Sequence, residues 1–299
     1  MRIKNYVFAA IDLILSKDEK LYFIEANSSP GALKEYLKIY KQAKPVKELC
    51  SFLNKNKYKK LAVISKKKWE ESIISSHFRK LFKGKIYRCS LKKNKKNLKQ
   101  GDGSLIDKNN KKIMPDIILR VAAGVARAQE KAGIKVINPK SVLRVTRDKI
   151  KSKKAVAKYT KLKIPNYFIV KNKTDIKTKL NKNKKLFSNG FVLKPRKGQK
   201  SRKVYILSSY KKIPKKFKIK KQFILEQLID CFPLFKNEFF EIRSIAVNGK
   251  YVGSMLFVSP KRPMHLLKEG RAVKTPKKLE KRIKEATEQV VKAIDNASR

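Results

Sequence analysis

Residues 6–31, YVFAAIDLIL then SKDEK then LYFIEANSSPG, decide how the chain is read. Two short runs rich in aromatic and β-branched residues flank a polar five-residue turn, which predicts a β-hairpin. Asp12 interrupts the first apolar run, and Glu25 and Asn27 close the second before Ser28, Ser29, Pro30 and Gly31. A lone Asp12 would fit an ordinary hairpin with polar outward positions. Two carboxylates and an amide oxygen on neighbouring strands are different, because they offer the hard oxygen ligands that hold Mg²⁺. The basic residues ahead of this apolar run resemble a secretory leader, but Asp12 breaks the run and no small-residue cleavage site follows.

Downstream, Ala32–Tyr58 has helical spacing broken at Pro45. KLAVIS (60–65) reads as a buried strand followed by a helix, and DIILRV (116–121) as another strand. A helix over 122–132 leads through Gly133 to the strand IKVIN, and 142–162 reads as one helix ending before Ile164-Pro165. This alternation is α/β. From Phe191 onward the texture changes to strands and turns, FVLKP, KVYILS, QFILEQLI, EIRSIAVNG and KYVGSMLFVS, with Asn248-Gly249 as a hairpin turn. A charged amphipathic helix over about 276–295 ends the chain.

The chain has 299 residues and a formal net charge of +55, from 64 Lys and 14 Arg against 23 acidic residues. With 41% apolar residues it can still bury a sizeable core, as one multi-lobed unit or two domains. Such a charge predicts attraction to polyanions, RNA or the ribosome among them. Lys dominates over Arg, however, and lies dispersed in stretches such as KKNKKNLK, which equally describes a solvated surface. Cys50, Cys89 and Cys231 form no CxxC pair, so neither a disulfide scaffold nor a zinc knuckle is expected. His77 and His265 are too few for a histidine-built metal site. With no apolar run long enough to span a bilayer, a soluble, cytoplasmic protein without a membrane span is expected.

FIEANSSPG, whose Glu25 follows Asp12 by thirteen residues, resembles the metal-binding end of ATP-grasp ligases, and NSSPG is similar to the RimK-like (ribosomal-protein glutamate ligase) branch. DIILRVAAGVARAQEKAGIKVINPKSVLRVTRDK resembles that family's amino-terminal domain, from the strand ending in Arg120 to Asp148-Lys149. IPNYFIV is similar to the entry to the lid, FVLKPRKGQKSRKVYIL to its strand-loop-strand, ILEQLI to its adenine hinge, and EIRSIAVNGKYVGSM to the strand pair carrying a catalytic Arg. The parts cover nearly the whole chain, but in a changed order. The Asp, Glu and Asn box usually follows the helix that here ends at Arg299, whereas in this chain it comes first. Circular permutation accounts for the order and places the two termini side by side; a fusion of one ligase's tail to another's body is the alternative.

The resemblance therefore implies a circularly permuted ATP-grasp fold of the α/β class with α+β lobes. Its carboxyl-terminal subdomain would be residues 1–45 plus 232–299, its amino-terminal α/β domain and linker helix 46–162, and its lid 163–231. It implies Mg²⁺ (or Mn²⁺) on Asp12, Glu25 and Asn27, and Lys149 and Lys194 on ATP phosphates. Ser201 would add a hydroxyl in the lid loop, and Glu226 with the backbone of Gln227 and Leu228 would read adenine. Arg243 and Lys194 would be catalytic. Lys194 also stands out by itself, since it interrupts an apolar strand before Pro195. Asp230 and Glu238 are both candidates for the ribose. Arg262, His265, Lys268 and Arg271 are candidates for a further catalytic position, Ser28, Ser29 and Gly31 for the acceptor side, and Arg120 for the face of the cleft. The loop 197–203 departs from the family in having Gly198 as its one glycine, with Arg202 and Lys203 beside it.

The activity implied is ATP-dependent joining of a carboxylate to an amine through an acyl phosphate. The RimK-like features point to an amino acid such as glutamate added to a peptide or small molecule. The alternative, motivated by the charge and the glycine-poor loop, is a weakly active or inactive ATP-grasp protein serving as a basic RNA- or ribosome-binding module.

Overall fold

The computed structural model describes residues 5–28, 33–65, 76–121, 126–198, 203–214, 216–217, 219, 222–235, 238–260 and 270–299. The hairpin read from residues 6–31 is β1 (Phe8–Leu15) and β2 (Leu21–Asn27). The parallel region that follows holds β3 (Lys60–Ser65), β4 (Lys85–Ser90), β7 (Ile117–Arg120) and β8 (Lys135–Val136), with the short pair β5 (Leu105–Ile106) and β6 (Lys112–Ile113) beside it. Next come β9 (Tyr167–Val170), β10 (Phe191–Pro195), β11 (Tyr205–Leu207) and β12 (Phe223–Gln227), and then β13 (Phe239–Val247), β14 (Lys250–Ser259) and β15 (Arg271–Lys274).

These strands form three main sheets. The first is antiparallel with order β15-β14-β13-β1-β2, so the amino-terminal strand lies inside it, between β2 and a strand from the far end of the chain. β13 and β14 are joined at Asn248-Gly249, whose φ angles of 49° and 81° suit the two-residue turn that matches strand twist. On one face lies the helix Lys277–Ala297. Its Leu279, Ile283, Ala286, Val290 and Ile294 recur at three- and four-residue spacing and share a core with Ile11, Leu13, Ile242 and Leu256. Full burial of an aliphatic side chain of this size contributes roughly 2 kcal/mol.

The second sheet, β4-β3-β7-β8, is parallel, and its central strand is apolar on both faces, as expected when both are covered. The helix Lys44–Lys55 supplies Val46, Leu49 and Leu53 to one core that contains Leu61 and Val63 of this sheet and Ile245, Val252 and Met255 of the first. The third sheet, β11-β10-β12-β9, is antiparallel. Its entry and exit both grip the turn end of the β1–β2 hairpin. Phe23 N donates to Lys163 O, Lys17 N to Asp230 O, and Phe232 N to Leu15 O, each at 2.9 Å.

Two helix expectations change. The helix expected over 142–162 is two, Lys140–Thr146 and Lys149–Tyr159, because Asp148 leaves the helical conformation and its carboxylate accepts from Ile150 N (3.1 Å) and Lys151 N (3.3 Å) as an N-cap. The break expected at Pro45 falls at 41–43 instead. Pro45 sits in the first turn of Lys44–Lys55, where a missing N–H costs no intrahelical bond. The helix expected over 122–132 is described as Arg127–Lys131, residues 122–125 lying outside the described residues.

The two ends of the described chain meet at Asp295. Its Oδ1 accepts from Asn5 N (2.6 Å) and Tyr6 N (3.0 Å), and its Oδ2 from Arg299 Nη2 (2.9 Å). Among the described residues, no helix is long and apolar enough to cross a membrane.

Candidate functional site

Asp12 is paired across β1 with Arg243 of β13 on one side and Glu25 of β2 on the other. Cross-strand partners share a face, so the register gathers the three side chains, and a bulge after Asp12 lets β2 resume its pairing one residue out of step. Arg243 grips Asp12 with a fork, Nε to Oδ1 at 2.6 Å and Nη2 to Oδ2 at 2.8 Å, and its guanidinium lies 4.8 Å from the Phe257 ring centre. Burial works against the guanidinium's charge, but Asp12 outweighs it and raises the Arg243 pKa. Asn27, two residues beyond Glu25 and on the same face, donates from Nδ2 to Asp12 Oδ2 at 3.0 Å. Tyr6 closes this corner by donating from its hydroxyl to Asn27 O at 2.7 Å, and burial, followed by the Asp12 charge, pushes its phenol well up.

The third sheet supplies the opposite balance. Lys194 of β10 and Glu226 of β12 are diagonal neighbours, and Lys194 Nζ donates to Glu226 Oε1 at 2.6 Å. Glu226 Oε2 lies 3.0 Å from Lys153 Nζ, a charge contact whose direction is not that of a hydrogen bond. Lys153 is fully buried, its ammonium 6.0 Å from the Phe23 ring centre and 5.9 Å from that of Tyr167. Burial pulls its pKa down to about 8 against the attraction of Glu226. Burial also works to raise the Glu226 carboxyl, but Lys153 and Lys194 outweigh it and hold the carboxyl below its ordinary range.

One helix joins the two groups. Lys149, at the start of Lys149–Tyr159, donates from Nζ to Glu25 Oε1 (3.2 Å) and to Gly198 O (3.3 Å). Lys153 is one turn further along the same face. The helix start is fastened to the third sheet, with Lys149 N donating to Arg196 O (3.1 Å) and Arg196 Nε to both Asp148 oxygens (2.9 and 3.0 Å).

The structure thus gathers Asp12, Glu25, Asn27, Arg243 and Lys149 in one cluster and Lys194 and Glu226, with Lys153, in a second, the helix Lys149–Tyr159 carrying one lysine to each. One expectation is corrected: the Glu226 carboxylate is buried against two ammonium groups rather than open to a ligand's amino group. Gln227 N donates to Asn166 O (2.9 Å), its side-chain oxygen accepts from Asn166 Nδ2 (3.0 Å), and Leu228 is half-buried beyond it. Of the ribose candidates, Asp230 pairs with Lys17 (2.7 Å), and Glu238 pairs with the exposed Arg271. Arg120 is buried, donating to the backbone oxygen of Asn138. Asn138 also accepts from Val7 N and Phe8 N (3.0 and 3.1 Å) and donates to Ser28 O (3.0 Å). Ser201, Ser29, Gly31, Arg262, His265 and Lys268 lie outside the described residues.

Two residues escaped sequence reasoning. Lys153 is signalled only by its i+4 relation to Lys149. Glu241 stands two residues before Arg243, on the same strand face, and is pushed up to about 8 by burial and then by Asp12, with Arg243 opposing. Among the described residues, no group of three or more His, Cys, Asp or Glu side chains is gathered as a metal site. The hairpin set is two carboxylates and a carboxamide, hard donors of the kind that suit Mg²⁺, each carboxylate now neutralised by a basic side chain.

No family model and no curated protein sequence matches the chain. Among solved structures, a candidate gamma-glutamylcysteine synthetase from Methylobacillus flagellatus KT matches with a TM-score of 0.63 at 12% identity, covering 99% of this chain and 89% of that one. N5-carboxyaminoimidazole ribonucleotide synthetase from Thermotoga maritima matches with a TM-score of 0.49 at 15% identity, over 79% of this chain and 62% of that one. D-alanyl-alanine synthetase A from Vibrio cholerae matches at 0.46 and 16%, over 79% and 80%. The first likeness shows the fold, the α/β architecture of ATP-grasp enzymes, and at 12% identity it reaches no further.

Proposed function

We propose that the chain is an ATP-dependent ligase joining a carboxylate to an amine, with the nucleotide held between the third sheet and the first. The observation that carries this reading is the Lys149–Glu25 contact, through which a carboxylate-rich sheet face adjoins a lysine-rich one. A nucleotide triphosphate with its divalent cation needs both, anionic oxygens for the cation and point charges for the phosphates.

In the reaction, a carboxylate oxygen of the substrate bonds to the γ-phosphorus of ATP, the bond to the β–γ bridging oxygen breaks, and ADP leaves. The amine nitrogen then attacks the acyl carbon, the amide bond forms, and phosphate leaves. No protein nucleophile is required. Lys149 and Lys194 place positive charge on the phosphates, Arg243 offsets charge on the transferring group, and the backbone of Gln227 and Leu228 forms the adenine end. Asp12, Glu25 and Asn27 would hold Mg²⁺ or Mn²⁺, which when bound supplies Lewis-acid charge at the phosphate oxygens.

The sheets support the division expected for such an enzyme, with β1, β2 and β13–β15 in the carboxyl-terminal subdomain (1–45 plus 232–299), β3–β8 in the α/β domain (46–162), and β9–β12 in the lid (163–231). The meeting of Asn5, Tyr6 and Arg299 at Asp295 supports circular permutation, since a short link would join the ends. NSSPG (27–31) supports the RimK-like branch and, with it, an amino acid such as glutamate as one substrate.

The test is ADP release with Mg²⁺-ATP across a panel of amino acids and amine acceptors. Glu25→Ala and Lys194→Ala should each lower turnover by about 10²-fold or more. Unchanged nucleotide binding and turnover in both variants would remove the site assignment.

A further inference from the structure

Three charged groups on the lid side are unevenly matched. Glu226 is the one carboxylate between Lys153 and Lys194, and both ammonium groups are almost entirely buried. Their two contacts with it differ. Lys194 Nζ makes a short directed hydrogen bond to Oε1, whereas Lys153 Nζ lies 3.0 Å from Oε2 in a longer and less well directed contact.

In the proposed reaction Lys194 turns toward a phosphate oxygen, and its hold on Glu226 loosens as its charge is shared between the two. A carboxylate buried as deeply as Glu226 would then be under-compensated, at a cost that weakens binding. Lys153 prevents this. It already lies within contact distance of the second oxygen, held between the Phe23 and Tyr167 rings on a helix whose start is fixed by the Asp148 cap. A small rotation would turn its charge contact into a directed hydrogen bond as the hold of Lys194 loosens.

We infer that Lys153 is a positioning residue for nucleotide binding, which keeps the Glu226 carboxylate compensated so that Lys194 can turn to the phosphates. It touches no substrate atom itself and acts through Glu226. The inference rests on the proposed nucleotide site, and it goes beyond that site by assigning a role to a lysine that needs no ligand contact.

The test is Mg²⁺-ADP affinity by isothermal titration calorimetry. Lys153→Met, which keeps the length and apolar stem, should weaken binding about tenfold, the worth of one hydrogen bond to a charged group. The double variant Lys153→Met/Glu226→Gln should recover affinity to within about threefold of wild type, because no carboxylate remains to be under-compensated and the amide still accepts a hydrogen bond. Lys153 serving only as packing would not be rescued by the second change. Wild-type affinity in Lys153→Met, or a double variant as weak as the single one, overturns the inference while leaving the nucleotide site intact. Absence of Mg²⁺-ADP binding by the wild type overturns both. Should Lys153→Met fail to fold, Glu226→Gln alone decides: freeing Lys194 should leave affinity equal or higher, and a tenfold loss overturns the inference.

Discussion

The hairpin face and the lid face are both ionic clusters, half-buried on the hairpin side and buried on the lid side, and their charges are unbalanced in opposite directions. Among the described residues, the hairpin face sets Asp12, Glu25 and Glu241 beside Arg243 and Lys149, while the lid face sets Glu226 beside Lys153 and Lys194. One face is relieved by added positive charge, the other by added negative charge. Burial raises the Glu241 carboxyl on the first and lowers the Lys153 ammonium on the second, so each cluster resists its own excess. Removing the scarce charge from either face should therefore cost most, and removing the surplus charge should cost little or help.

Glu226→Ala is the most damaging case, because it deletes the carboxylate and leaves two buried lysines facing each other. A loss of about 4 kcal/mol in unfolding free energy is expected from urea titration. A loss under about 1 kcal/mol would mean that the lid cluster is solvated and the comparison is empty. Lys153→Met, by contrast, removes surplus charge and should stabilise the protein near neutral pH, by up to about 3 kcal/mol. The sign follows from protonation. The Lys153 pKa is about 8 when folded, against an ordinary 10.5, so the unfolded chain holds the extra proton between those values. Wild-type stability from this group therefore rises over that window, and the gap between variant and wild type should close as pH rises from about 8 to 10.5.

On the hairpin face, Asp12→Ala should cost about 2 kcal/mol, less than Glu226→Ala. Arg243 keeps a side-chain exposure of 20%, the Phe257 ring, and Glu241 on the same strand face, so its charge is only partly abandoned. If the two alanine variants cost the same, the two faces do not differ in balance. Thermal or urea unfolding of both in one buffer settles the order.

The hairpin face was legible in the sequence because its signals are local. Strand alternation puts Glu25 and Asn27 on one face, and it is their combination with Asp12 inside YVFAAIDLIL that departs from an ordinary hairpin; Arg243 interrupts the apolar strand EIRSIAV in the same way. The Asn248-Gly249 turn was legible for the same reason. The lid face was half hidden. Lys194 interrupts FVL, but Lys153 sits in KIKSKK, where composition makes every lysine look like surface. The break at Asp148 is hidden because Leu143 and Ile150, seven residues apart, keep a helical apolar spacing across it, and only the tertiary partner Arg196 and the cap show why the helix restarts there. The pairing of β1 with β13 joins segments at opposite ends of the chain, for which no local pattern carries a signal.

The helix Lys149–Tyr159 gives Lys149 to the hairpin face and Lys153 to the lid face, so the anchoring of its first turn sets how the two are spaced. Asp148→Ala removes the cap and the Arg196 contact, and should cost about 1 kcal/mol, because the cap is worth about that much and the Arg196 side chain is 26% exposed. Asp148→Asn keeps an acceptor for Ile150 and Lys151 but drops the charge, and should stay within about 0.5 kcal/mol of wild type. Burial works to raise the Asp148 carboxyl, yet Arg196 and the helix N–H groups outweigh it and hold the pKa below the ordinary 3.8. The contribution of the charge is therefore present above 3.8 and fades as pH falls through the lower folded value, taking the small gap between Asp148→Asn and wild type with it. Nucleotide affinity separates spacing from stability: if the first turn sets the distance between the faces, Asp148→Ala weakens Mg²⁺-ADP binding more than Asp148→Asn does. Equal affinities would make the two faces independent units that happen to share a helix.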